Sequence, residues 1–443
     1  MGEVYGEVYK KRWGKQYGRQ SLADLEWAFQ NCPNVIGAII VEQFPHYLNR
    51  LTSREYVRRL LLLCAKYGRL FIWADGHWYQ GLTWLRLGKE CPEMLRLFRE
   101  YKPYVVVLHK MNCWREPLAI HGAVFGLWLS NFVENFGVEP EDWYWFEAGF
   151  RKLGESLGRG GGERELCPPT FWGQMMLVGL SSGGTCWCLE PCWGLWESKE
   201  WEKLHKPKWS LSHVVFPLMR AIVNWRLIPS KEEVLSKVKV ALRLEPEDFE
   251  KEDEFFGPLR VVYQGTYGLR HASELIPDSG RYYFIPLLPV LAKEPPSGVR
   301  VAKPSDFGSP EEARDFFDRF YPKFYEGDAF VARVGSLIVA MHSRENEDVR
   351  QRFSLPIEAG VVKALSGELD VHGFVVGKVE GRRLLLQVNG RRERRTTLRL
   401  ECEREPSVEV SPEEGLLERR YEGGVLTLVI SHKLGAVEVK VSP

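Results

Sequence analysis

Five apolar runs in this 443-residue chain end in a residue that can carry charge or a proton: Glu42, Asp75, His109, Glu147 and Glu190. Three of the five are glutamates. Paired carboxyl groups are what breaks a glycosidic bond: one protonates the leaving oxygen, and the other activates water or attacks directly. A gap of roughly 6.5–9.5 Å between them gives inversion, and about 5–5.5 Å gives retention. Glu42 closes the run VIGAIIVE and precedes Gln43 and Phe44. An acid there is poorly solvated, which suits a general acid. Glu147 follows Trp143, Tyr144, Trp145 and Phe146, and Glu190 follows Trp187 and precedes Trp193 and Trp196. Aromatic faces pack against sugar C–H groups while an indole N–H stays able to bond. One such glutamate alone is equally well a strand-end acid paired to a helix residue. Three at equivalent strand ends favour a site, with Glu42, Glu147 and Glu190 as its catalytic groups. Asp75 and His77 in WADGHW, and Lys110 and Asn112 in HKMN, are placed to hold hydroxyls. Trp73, Trp78, Trp114, Trp145 and Trp187 are the stacking surfaces. His109 reads as structural, and Asp142 falls at the start of its run, on the wrong face.

Strand ends share one face only if the strands are parallel, and the pattern says they are. Apolar strand-like runs alternate with amphipathic helical stretches from about residue 20 to 290. Helices are expected over Ser21–Gln30, Arg54–Tyr67, Cys91–Tyr101, Leu118–Phe132, Phe171–Leu180 and Ser212–Trp225. Strands are expected over Val35–Gln43, Arg69–Asp75, Tyr104–His109, Asp142–Glu147, Gly184–Glu190, Lys237–Leu242 and Tyr282–Leu291. Continuous apolar strands between helices mean a parallel sheet covered by helices. In the closed version, a (β/α) barrel, the strand C-termini carry the chemistry. An open doubly wound sheet would show a Gly-rich phosphate loop after its first strand. The run Gly158–Gly162 follows no strand and is read as a loop. Beyond Glu294-Pro-Pro-Ser-Gly the pattern changes to one capped helix, Ser309–Tyr321, and then short alternating strands. That spacing predicts an all-β sandwich. The chain therefore divides into a barrel domain, residues 1–294, and a β-sandwich domain, residues 295–443.

Composition narrows the partners. Lys plus Arg number 60 and Asp plus Glu 59, so no global basic field points to nucleic acid. No apolar stretch reaches the roughly 20 residues that span a bilayer, and no signal peptide is visible after Met1. The 16 Trp cluster in the first half, as a carbohydrate site would want. Nine Cys show no disulfide spacing. Cys186, Cys188 and Cys192 lack a fourth ligand at zinc-site spacing, so neither a metal nor a cofactor is expected.

In order along the chain, VIGAIIVEQF, KYGRLFIWADGHW, YVVVLHKMN, GLWLSNFVENFGVEPEDWYWFEAGF and PPTFWGQMMLVGLSSGGTCWCLE resemble the catalytic domain of glycoside hydrolase family 98. RLIPSKEEVLSKVKVAL and YQGTYGLRHASELIPDSGRYYFIPLLPV fit its downstream part. The resemblance covers about residues 30 to 290. It implies a (β/α)8-type TIM barrel with a C-terminal β domain, and inverting endo-hydrolysis of β-galactosyl or β-xylosyl linkages in a glycan or polysaccharide. It also implies secretion. It places Glu42 on the general acid, Glu147 where the family commonly has an Asp, and Glu190 on the second base-side carboxylate. Glu for Asp at 147 moves that carboxylate by roughly an ångström, enough to alter how water is held. Only about 30 residues precede the first matched strand, where one or two strands are expected. The barrel therefore lacks its first strands, or is closed by another segment or subunit, or the gene start is misplaced.

Overall fold

The computed structural model describes residues 21–43, 51–75, 83–111, 117–141, 168–189, 195–197, 206–245, 285–289, 291–292, 294–321, 325–342 and 350–443. The chain enters through α1 (Leu22–Asn31), whose Ser21 hydroxyl accepts the Ala23 N–H and caps it. Leu25 and Phe29 are one turn apart and buried, so this helix docks by a single apolar stripe. A parallel sheet follows: β1 (Gly37–Val41), β2 (Leu70–Asp75), β3 (Val105–Met111), β4 (Asn135–Pro140) and β5 (Cys186–Trp187), hydrogen-bonded in that order. The helices between its strands are α2 (Leu51–Lys66), α3 (Thr83–Glu90), α4 (Pro92–Glu100), α5 (Pro117–Leu129) and α6 (Phe171–Ser181). Gly68, at φ 62°, ends α2 in the left-handed conformation that glycine tolerates best.

The fold is mixed α/β, with a curled parallel sheet that makes a half-barrel. Its two faces differ. Phe71, Trp73, Val105, Val107, Phe136 and Val138 pack into the large core under the helices. Ile39, Val41, Ile72, Ala74, Val106, Leu108, Cys186 and Cys188 form a smaller apolar cluster on the opposite, concave face. The period-2 alternation of strands divides them.

The structure departs from the expected elements at two places. The expected strand Asp142–Glu147 lies outside the described residues. The strand after α5 is Asn135–Pro140, which was not expected and pairs with β3 on one side and β5 on the other. Its sequence NFGVEP hides it, because a glycine and a terminal proline weaken the strand pattern. Gly137 is required: a Cβ there would lie 1.7 Å from the Cys186 carbonyl oxygen. Second, the runs near 240 and 287 do not extend this sheet. They form β6 (Val240–Arg243) and β7 (Leu287–Leu288), which join β8 (Arg300–Ala302) in a separate parallel sheet ordered β8–β6–β7. That sheet lies against α5, where a Cβ on Gly126 would lie 1.7 Å from the Leu287 carbonyl oxygen. Its Val240, Leu242, Leu287 and Leu288 join the same large core as that helix. Helix α3 was not expected; it has two turns and contains Gly88, too short for a clear period.

Two further helices, α7 (Phe216–Asn224) and α8 (Lys231–Leu235), precede β6 in the chain. After β8 and helix α9 (Pro310–Phe320), two six-stranded antiparallel sheets stack on a shared core of Phe353, Leu365, Leu398, Leu428, Val375 and Leu386. The other face of the second sheet, through Phe330, Val339 and Phe374, joins the core under α6. Lys378 donates to the Trp225 carbonyl at the end of α7, and Gln387 to that of Pro217. The sandwich thus buttresses the helices behind the parallel sheet.

Candidate active site

The concave face of the sheet turns ionic at its C-terminal rim. Lys110 follows Val106 and Leu108 on that face of β3 and sits beside Glu139 in the strand register. Its ammonium lies 3.4 Å from Glu42 Oε1, 3.5 Å from Glu139 Oε1 and 3.4 Å from Glu141 Oε2. The Lys110 and Glu139 side chains are each 2% exposed, Glu141 6% and Glu42 15%. Burying a charge costs several kcal/mol unless it is paired. One cation among three anions is how this rim carries charge inside an apolar strand cluster. The spacings exceed the roughly 2.7–2.9 Å of a short charge-assisted hydrogen bond, so Lys110 is a hub and not one member of a tight pair. All three oxygens lie within 3.5 Å of one nitrogen, so no two can be more than about 7 Å apart.

Each carboxylate owes its place to the local chain. Glu42 stands one residue beyond β1 with φ 53°, an unusual conformation for a side-chain-bearing residue, and its N–H donates to the Ala74 carbonyl at 3.1 Å. Gln43, buried, donates to the Val41 carbonyl and folds the chain back over the strand end. Glu139 and Glu141 share the parity of Asn135 and Gly137, with Glu141 one step of roughly 6–7 Å nearer the rim. Cys186 lies close by: burial, followed by the Glu139 charge, pushes its thiol up to about 11. It and Cys188 are free thiols, and no metal-binding group of His, Cys, Asp or Glu occurs among the described residues.

The opposite face of the same rim is a different environment. Asp75 and His109 are register partners there, each 1% exposed. Trp73 is fully buried against Phe71, Trp84 and Phe98 and donates its indole N–H to Asp75 at 3.1 Å. A stacking surface needs an open ring face, so Trp73 is corrected to a core residue and Asp75 to its hydrogen-bond acceptor. Trp187 is half-buried and turned toward α6, donating to the Met176 carbonyl at 3.1 Å. The Lys110 ammonium lies among three carboxylates. His109 packs 5.9 Å from His121, which bonds the Ser182 hydroxyl at 2.9 Å. Burial, with the His121 charge second, holds His109 well below the usual histidine range, and burial takes His121 down to about 3.

Glu147, Glu190, His77, Trp78, Asn112, Trp114 and Trp145 lie outside the described residues. The structure thus brings together Glu42 and Lys110 of the expected set and adds Glu139 and Glu141. Parity in VEPE is the sequence signal for that pair.

A half-barrel with a carboxylate-lined rim and a β-sandwich behind it can be set beside known proteins. The glycosyl hydrolase family 98 model matches residues 7–227, and the model of that family's C-terminal domain matches residues 231–390. The chain belongs to glycoside hydrolase family 98. It is 23% identical over 367 residues to the blood-group-substance endo-1,4-beta-galactosidase of Clostridium perfringens, covering 78% of this chain and 42% of that protein. The chain therefore spans less than half the length of that family 98 relative. The catalytic module of a family 98 glycoside hydrolase from Streptococcus pneumoniae superposes with a TM-score of 0.77 at 21% identity, covering 95% of this chain and 81% of the module. The same module was solved with the LewisY pentasaccharide blood group antigen, TM-score 0.78 at 21% identity, covering 96% and 82%. With the H-disaccharide antigen the values are 0.78, 21%, 95% and 81%. At this identity the likeness carries the fold. Among the described residues no helix is long and apolar enough to cross a membrane.

Proposed function

We propose that this protein is an endo-acting glycoside hydrolase that cleaves a β-galactosyl linkage within a glycan by inversion, with Glu42 as general acid. The observation that carries this is the Lys110-centred group of carboxylates at the C-terminal rim, in which Glu42 is the most open to solvent. A proton donor must reach the scissile oxygen, and Glu42 is the member placed to do so. On the base side, Glu147 and Glu190 activate water, and Glu141, one residue past the end of β4, is a further candidate for that role. Glu190, three residues past β5 in sequence, remains the second base-side carboxylate. The bound of about 7 Å on the oxygens of Glu42 and Glu141 reaches the lower end of the inverting range. The galactosyl linkage is favoured over the xylosyl one by the name of the Clostridium relative and by the blood group antigens bound to the Streptococcus module. Residues 1–294 would carry the chemistry and residues 295–443 the support.

The test is release of sugar from a panel of β-galactosyl and β-xylosyl glycans, with the anomer of the new reducing end followed by NMR. Glu42→Gln and Glu190→Gln are each expected to abolish release, a loss of roughly 10²–10⁴-fold or more. Retained activity in both variants sinks the proposal. Glycan binding by the unaltered protein without any hydrolysis makes it a carbohydrate-binding protein instead.

A further inference from the structure

We propose that Lys110 is the positioning residue of this site: its buried ammonium fixes the Glu42 carboxylate and sets the charge around it, from behind the substrate and without touching it. This rests on the reading of Glu42 as the acid. The ammonium is 2% exposed and almost equidistant from three carboxylates that come from two different strand ends. The end of β1 and the end of β4 are separated by β2 and β3. Lys110 therefore ties Glu42 across two intervening strands to Glu139 and Glu141. Glu42 needs such a tie. Its backbone is left-handed at φ 53°, a conformation that is unfavourable for an L-residue and persists only where neighbours enforce it. The N–H bond to Ala74 fixes the backbone, and Lys110 is the cation that meets the side chain.

The charge of Lys110 gives the second half of the inference. Its ammonium lies within 3.5 Å of all three carboxylates, and a positive charge that close favours their ionised forms. Removing the cation makes an ionised Glu42 less favourable, so the acid keeps its proton to higher pH. A residue that only filled space would leave the pH profile alone.

The experiment uses the full chain and whichever glycan the unaltered protein cleaves. Lys110→Met keeps length and removes charge; Lys110→Ala opens a cavity that propylammonium can enter. Lys110→Met is expected to lower kcat by about 10-fold or more with KM nearly unchanged, and to move the alkaline limb of kcat up by about one pH unit or more. Propylammonium is expected to restore part of the Lys110→Ala activity, where sodium at equal ionic strength does not. An unshifted pH profile in Lys110→Met overturns the inference, and so does failure of the amine to rescue. Should Lys110→Ala not fold, the profile of Lys110→Met decides alone. Should neither fold, the Lys110→Arg profile decides: a limb that stays in place supports the charge role, and a limb that moves up overturns it. Loss of activity in Glu42→Gln beside an unchanged Lys110→Met leaves the acid standing and removes only Lys110. Activity retained in Glu42→Gln removes the acid itself.

Discussion

The two faces of the parallel sheet meet the same rim with opposite solutions. Inside, the Lys110 ammonium lies within 3.5 Å of Glu42, Glu139 and Glu141 in a nearly closed space. Outside, one residue away along β3, His109 is buried beside a second histidine, and burial keeps both neutral near pH 7. The strands and their height are the same; only side-chain parity differs. A polar residue at a strand end is therefore not enough to mark a site. What matters is whether it falls on the concave face, where a ligand can approach, or under the helices, where it must be satisfied by the protein alone.

This contrast is broken most severely at Trp73. If it belongs to the helix-side core, Trp73→Ala removes a fully buried indole and its N–H donation to Asp75. The expected cost is about 3–5 kcal/mol, read as a lowered urea midpoint. Per folded molecule, KM for the glycan should not change. A large rise in KM with little loss of stability would return Trp73 to the substrate side and undo the division between the faces.

That division also explains what the sequence could and could not tell. The parallel sheet and its helices were legible because the runs VIGAIIV, LFIWA and VVVLH are apolar on both parities, as a sheet buried on both faces demands. The same property hid the parity. With both faces apolar, nothing in LFIWAD says which way Asp75 and Trp73 turn, and both were placed among the substrate contacts. Strand β4 was missed for a different reason. Gly137 answers a tertiary demand, the close approach of the Cys186 carbonyl, and a local pattern does not register it. The terminal sandwich was the clearest element: its strand Gln351–Ala359 alternates buried and open positions along its length. Glu42 was found because it ends an apolar run, and Lys110 as a polar residue of HKMN just past the end of one. Their joining depends on register between β3 and β4, which no single run contains.

The histidine pair supplies the next test. A histidine whose folded-state value is depressed binds its proton only in the unfolded chain between the two values. Stability is then complete above about pH 6.5 and falls as pH drops through that point, for His121 down to about 3. Each such histidine contributes a slope of up to about 1.4 kcal/mol per pH unit in that window. Urea midpoints measured from pH 7 to pH 4 should therefore fall less steeply in His121→Phe than in the unaltered protein. His342, His372 and His432 remain in both, so the difference isolates the sheet's outer face. Equal slopes would mean that the outer face is hydrated or charged, like the inner one.

The smallest effect is expected at Trp187, which tests where the outer face ends. Its neighbour Cys186 joins the concave cluster, while its own indole turns back to the Met176 carbonyl on α6. Trp187→Phe keeps the ring and removes the N–H, leaving one carbonyl in the middle of a buried helix without that donor. The cost should be about 0.5–1.5 kcal/mol, the net worth of one neutral hydrogen bond. Urea denaturation measures that, and glycan affinity by calorimetry measures the alternative. If affinity drops while stability holds, the indole serves the sugar, and the boundary between the two faces lies before β5. If stability drops alone, β5 keeps the same parity as β2 and β3, and the outer face is structural along the whole sheet.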